Sequence, residues 1–178
     1  MPKGLKQNAD LLKLLGKMKR TLKDRGQEVR WTPPDFWHVT LQFLGEMTDT
    51  DDRVQKVLSD WSPRSSCLEL SLQGLGAFPA DDAARVLWVG VQASQEFLDL
   101  QSELTARLEA TGLVLQDREF KPHLTLARFR QMISVRDLIE LGGRKHFGTY
   151  PIGELVLFDS VLQGQIIKYV PRFRHPLQ

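Results

Sequence analysis

Two short stretches of the chain carry side chains able to hand protons to and from a substrate: His38-Val39-Thr40-Leu41 and His123-Leu124-Thr125-Leu126. Each reads His, an aliphatic residue, Thr, then Leu. In an extended strand successive side chains point to opposite faces. His38 and Thr40 therefore share one face and Val39 and Leu41 the other, and the second copy repeats the arrangement. Only four histidines occur in the chain, and two of them hold matching positions in matching segments. Such a pair of strands can bury its aliphatic sides and offer two imidazoles and two hydroxyls to one cleft.

Phosphoester cleavage suits that set. One neutral imidazole takes a proton from the attacking water and one imidazolium gives a proton to the leaving oxygen, each role typically worth about 10²–10⁴-fold. Histidine serves both roles because its ordinary pKa lies near 6.5. The threonine hydroxyls and nearby cations can hold phosphoryl oxygens as charge builds on them. Metal binding is the rival use of two histidines. A catalytic zinc needs three protein ligands, and His146 and His175 come with no HExxH pattern or cysteine pair. The expectation is no metal and no cofactor.

The elements that must position these residues follow from hydrophobic period and breakers. Residues 8–25 read as an amphipathic helix, with Leu11, Leu12, Leu14, Leu15, Met18 and Leu22 near the 3.6 period and Gly26 as its end. Val29–Trp31 is a short extended piece, Pro33-Pro34 a loop, and 36–44 the first His-x-Thr strand, closed by Gly45. A second helix spans 49–61, with Pro63 as its stop. Cys67 to Gln73 alternates as a strand with one wet face, 74–82 reads as a loop and 85–92 as a strand. Ser94 caps a helix running to about Thr111, with Gly112 behind it. The second His-x-Thr strand is 120–129. Ser134 with Asp137 resembles a capping box for a short helix ending at Gly142-Gly143. Strands at 154–163 and 165–173 flank a turn at Gly164. The order helix, extended piece, proline, His-x-Thr strand thus occurs twice, which predicts a duplicated α+β unit.

Bulk properties agree with a single globular domain. The chain has 178 residues, 42% hydrophobic and 26% charged, and one cysteine, Cys67, so no internal disulfide forms. No apolar run approaches the roughly 18 residues of a membrane span, and no secretory signal pattern is seen. A cytoplasmic protein is expected. Net charge is only +2, yet cations cluster in residues 1–30, at Lys168, Arg172 and Arg174, and around the second motif as Arg118, Lys121, Arg128 and Arg130. That distribution favours a polyanionic ligand.

In this context the motifs resemble the two-histidine phosphoesterases, and most closely the RNA 2′,3′-cyclic phosphodiesterases, also called 2′–5′ RNA ligases (LigT-like). The resemblance rests on Arg30-Trp31-Thr32-Pro33-Pro34, on His38 through Glu46, on Arg85 through Gly90, on Phe120 through Arg128, on Leu155 through Ser160 and on Tyr169. It implies an α+β, bilobal fold over residues 1–178. Two pseudo-symmetric antiparallel sheets would face a central cleft with helices outside, each lobe giving one His-x-Thr strand. It implies hydrolysis of RNA ends bearing a 2′,3′-cyclic phosphate, tRNA fragments among them, to a 2′-phosphate. The position of His38 matches the family's proton donor and that of His123 the acceptor. Thr40 and Thr125 match its phosphate-holding threonines, and Arg128 a basic position after the second motif. Strict alternation puts Arg128 on the Leu124/Leu126 face, so a bulge or strand end before it is needed to bring it to the histidines.

Trp31, Phe43 and Tyr169 have the chemistry to stack on a base, although packing is the favoured use of all three. Two other functions share these residues: reversible 2′–5′ joining of RNA ends, and binding of a nucleotide or RNA end without catalysis. Family members open with a short apolar strand, whereas Met1-Pro2-Lys3-Gly4 leads almost directly into the first helix. An unpaired sheet edge is the expected consequence, with a monomer favoured as the oligomeric state.

Overall fold

A computed structural model describes residues 4–45, 52–61, 68–116, 119–163 and 166–177, with the side chains of 162–168 left aside. It is an α+β protein with four α-helices and two antiparallel sheets among the described residues. The elements in order are α1 (Ala9–Asp24), β1 (Val29–Trp31), α2 (Arg53–Asp60), β2 (Glu69–Phe78), β3 (Ala84–Gln92), α3 (Gln95–Glu109), β4 (His123–Ile133), α4 (Arg136–Gly142), β5 (His146–Pro151), β6 (Glu154–Gln163) and β7 (Ile166–Pro176). The helix start at Asp49, its stop at Pro63, Cys67, Arg118 and the Gly164 turn lie outside the described residues. No described helix is long and apolar enough to cross a membrane.

The chain forms two compact units. The first comprises the residues up to Thr40, Glu69–Ala93 and Lys121–Pro151. It holds a five-stranded sheet in the order β1-β4-β3-β2-β5. One face of this sheet is apolar: Leu72, Leu75, Leu87, Val89, Leu124, Leu126, Ala127, Phe129 and Phe147 pack with the buried stripe of α1 and with Val135 and Leu138. That stripe is Leu11, Leu14, Leu15, Met18 and Leu22, close to the periodicity read from sequence. Asn8 caps α1 by accepting from the Leu11 N–H at 2.7 Å, and its amide also donates to the Tyr150 hydroxyl at 2.6 Å, tying the helix to β5. Gly26, at φ +67°, ends the helix. Its N–H bonds the Lys23 carbonyl and that of Gln27 the Leu22 carbonyl, the paired bonds a left-handed glycine permits at a helix C-terminus. Before α1 the described residues form no strand. Leu5–Gln7 is a turn of 3-10 helix with Leu5 buried.

The second unit comprises Leu41–Leu68, Ser94–Phe120 and the residues from Ile152 onward. It contains α2, α3 and the β6–β7 hairpin. Ser94 caps α3 through its hydroxyl, as its sequence position predicts. Trp61 is buried and donates its indole N–H to Glu103 at 2.9 Å. Gln101 reaches the Leu41 carbonyl, and the Thr105 hydroxyl donates to Gln42 at 3.2 Å.

Four local expectations change. Residues 36–44 do not form a regular strand: Pro34–Phe36 is 3-10 helix and only Val39 bridges to β4, at Leu124. Two prolines without N–H groups set that turn. Residues 74–78 continue β2, because Gly74 at φ +68° forms a bulge between Gln73 and Leu75 rather than a loop. Ser134 does not cap α4. The helix begins after Val135, which is fully buried and donates its N–H to the Asp81 carbonyl, so a core anchor sets the start. Strand β5 has no counterpart in the sequence reading. Gly148, at φ +101°, interrupts its alternation, and only Phe147 and Tyr150 turn to the core.

Candidate active site

Both His-x-Thr tripeptides lie in the first unit. The second opens β4, paired with β3: Gly90 opposite His123, Val89 opposite Leu124, Trp88 opposite Thr125. Leu124 is buried, while His123 and Thr125 take the face away from the core. The first tripeptide approaches β4 from the other side. After Trp31 the chain leaves the sheet through the 3-10 turn and is pinned by Trp37, which is fully buried with its indole N–H on the Thr32 carbonyl at 3.2 Å. It returns at the Val39–Leu124 bridge. An antiparallel bridge there sets His38 beside Thr125 and Thr40 beside His123. Each imidazole thus neighbours the threonine of the opposite motif.

The two rings are held alike. His38 Nδ1 lies 2.7 Å from the Phe36 carbonyl and His123 Nδ1 lies 2.6 Å from the Lys121 carbonyl. In both cases the partner is the backbone two residues upstream. A carbonyl oxygen only accepts, so Nδ1 carries the hydrogen in each ring and the lone pair of the neutral imidazole falls on Nε2. This common tether is not legible in the sequence, because it depends on how the chain enters each strand.

His123 also has an aromatic setting. Its ring meets Phe78 edge-on at 5.0 Å between centroids and lies 6.0 Å from Trp88, while Phe78 and Trp88 are 5.2 Å apart. Trp88 lies across Gly76, its partner on β2. A Cβ at Gly76 would fall on the indole, and a Cβ at Gly90 would come within 2.6 Å of the Gln73 carbonyl. Two glycines therefore form the floor beside His123, and the buried Trp88 Nε1 has no hydrogen-bond partner. Neither Phe78 nor Trp88 was among the expected site residues. The available signal is alternation: in Leu87-Trp88-Val89 the tryptophan is the residue that faces away from two buried aliphatics.

Arg128 reaches the histidine face. Trp88 pairs with Thr125 and Leu87 with Ala127, so Leu126 is an extra residue in β4. Leu126 and Ala127 are both fully buried. The bulge reverses the alternation, and Arg128 is exposed on the side of His123 and Thr125. Burial pushes the His38 imidazole below its ordinary value. The Phe36 carbonyl works in the opposite sense, and Arg128 and His123 add to the depression.

Trp31 sits on the core side of β1 with Lys19 Nζ 5.5 Å above its ring. Phe43 and Tyr169 belong to the second unit, where Phe43 is about half exposed and Tyr169 meets Phe158 edge-on at 6.2 Å. Among the described residues no group of three or more His, Cys, Asp or Glu is arranged to hold a metal ion.

Two identically tethered imidazoles and two threonines thus lie on one sheet face of an α+β framework. Residues 17–160 match the family model described as the 2′-5′ RNA ligase superfamily, and the chain belongs to that superfamily. Curated relatives include proteins named RNA 2′,3′-cyclic phosphodiesterase from Archaeoglobus fulgidus and Aeropyrum pernix. The first is 31% identical over 79% of this chain and 80% of its own length. The second is 30% identical over 86% and 90%. Among solved structures, TT0787 of Thermus thermophilus superposes with a TM-score of 0.74 at 25% identity, covering 99% of this chain and 93% of that one. E. coli LigT complexed with 3′-AMP gives a TM-score of 0.65 at 23% identity over 93% and 91%, a likeness of fold.

Proposed function

We propose that this protein is an RNA 2′,3′-cyclic phosphodiesterase that opens the cyclic phosphate at RNA ends to leave a 2′-phosphate, using His38 and His123 as its proton-transfer pair. The reading is supported by relatives of that name at about 30% identity over most of both chains. The observation that carries the mechanism is the pair of Nδ1–carbonyl tethers, which direct both exchangeable positions to Nε2.

In the proposed step, water attacks phosphorus and the bond from phosphorus to the 3′-oxygen breaks. His123 Nε2 takes the proton from the water. His38 Nε2 gives its proton to the departing 3′-oxygen, which becomes a hydroxyl. Thr40, Thr125 and Arg128 hold the non-bridging oxygens as negative charge grows on them. His38 resists protonation in the free protein, through burial and then through Arg128. A cyclic phosphate beside it is a monoanion, which offsets Arg128 and favours the imidazolium. Substrate binding thereby arms the acid. Two imidazoles supply both transfers, so the scheme calls for no metal.

The test is a short RNA ending in a 2′,3′-cyclic phosphate, incubated with EDTA present. Wild type should release the 2′-phosphate, and His38→Ala and His123→Ala should each lose about 10²–10⁴-fold. Equal, slow rates for all three proteins would overturn the proposal.

A further inference from the structure

The first sheet contains one rung that ordinary stability would not build. Where β1 crosses β4, Arg30 stands directly opposite Arg128. Opposed residues of an antiparallel pair share a face, and like charges so placed destabilise the pair. Both side chains are exposed. Among the described residues neither arginine makes an ion pair.

The same strand edge shows how such charges are ordinarily balanced. Two residues along each chain, Arg130 is 3.9 Å from Glu28. Arg85, on β3, adds a further cation and donates to the Arg130 carbonyl. The corner thus holds Arg30, Arg85, Arg128 and Arg130 with Glu28 as the one acid in ion-pair range among the described residues. A guanidinium pair without a counterion is suited to an anion, and the fork geometry of Arg favours phosphate.

Its place relative to the histidines indicates which phosphate. On β3, Gly90 stands opposite His123 and Val86 opposite Arg128. These rungs lie four residue steps apart along β3, roughly 13 Å. That span exceeds the size of one phosphoryl group and suits a neighbouring one on the same RNA chain. The bulge at Leu126 keeps the histidines and the arginine rung on one face, so a single strand can touch both.

We infer that Arg30, beside the Arg128 that serves the terminal cyclic phosphate, holds a phosphodiester of the RNA upstream of it, so that the preferred substrate is an oligonucleotide and not a mononucleotide. The inference rests on the RNA-end reading above and assigns Arg30 a role distinct from the reacting phosphorus. Arg128 faces both: its charge acts on His38, and its strand partner extends the cationic surface away from the histidines.

The experiment compares a 2′,3′-cyclic mononucleotide with a trinucleotide ending in the same cyclic phosphate, for wild type, Arg30→Gln and Arg30→Lys. For Arg30→Gln, kcat/KM on the trinucleotide should fall about tenfold, mainly through KM, and the log–log salt slope should lose about 0.7 for the one phosphate released. The mononucleotide should be turned over as by wild type, and Arg30→Lys should recover part of the loss. An equal fall on both substrates would place Arg30 at the reacting phosphate and overturn the inference. No change on either would also overturn it. Failure of wild type to turn over either substrate would sink the enzymatic reading instead. In that case fluorescence-anisotropy binding of the 2′-phosphorylated trinucleotide and mononucleotide decides. Selective weakening of the trinucleotide in Arg30→Gln supports the arginine site, and equal binding removes it.

Discussion

Leu126 and Ala127 are consecutive in β4, and both are fully buried on the same face of the sheet. Regular alternation forbids this, and the bulge that permits it resets the face of every residue that follows. Arg128 consequently joins His123 and Thr125. Arg128→Gln should lower kcat/KM for a cyclic phosphate by about 10–100-fold, the worth of a hydrogen bond to a charged group. It should also raise the titration point of His38, since Arg128 contributes to the depression. NMR titration of the His38 ring checks this, and an unmoved midpoint would separate Arg128 from the site.

His38 also links stability to pH. Its folded-state value is lowered from 6.5, with burial the largest cause. In the window between the folded value and 6.5 the unfolded chain binds more protons than the folded one. Stability is therefore full above 6.5, declines as pH falls through that window, and levels off below the folded value. Urea unfolding at a series of pH values from about 8 to about 5 should show this slope. His38→Gln, which does not titrate, should flatten it. An identical slope in the variant would assign the effect to other groups.

The rate should trace a bell between about pH 5 and pH 9, with one limb for the group that must be neutral and one for the group that must be protonated. His38→Gln should remove one limb as well as most of the rate. Chelators should leave the wild-type profile unchanged. A profile that stays bell-shaped in both histidine variants would mean that other residues carry the protons.

Gly76 should tolerate no side chain. A Cβ there would overlap the Trp88 indole, and Trp88 with Phe78 forms the wall against His123. Gly76→Val should cost about 1–3 kcal/mol through overpacking and should reduce kcat more than it raises KM. Trp88→Phe keeps an aromatic wall without the indole, so it should retain most of the rate. Thermal denaturation and steady-state kinetics on both variants test the ordering, which reverses if Trp88 is indifferent to His123.

Much of this arrangement is readable from residues alone. Helix α1 follows from its leucine period, α3 from Ser94, and the shared face of His123 and Thr125 from strand alternation. The side of Arg128 is not readable, because a bulge is decided by how β3 and β4 pair over distance. The Phe36–His38 segment reads as a strand by composition, yet the two prolines and the burial of Trp37 turn it into a 3-10 approach. Strand β5 is hidden because Gly148 breaks its period. The Arg30–Arg128 pairing lies in strand register, which no local window contains.

The matched tethers on His38 and His123 have a bearing on direction. Because each ring is fastened through Nδ1, only Nε2 is left to exchange a proton. In the proposed reaction the former base finishes holding the proton and the former acid finishes without one. The pair has then exchanged parts and stands ready to recyclise its own product. Escape of the 2′-phosphorylated end, followed by a proton swap with solvent, is what makes the forward course stick.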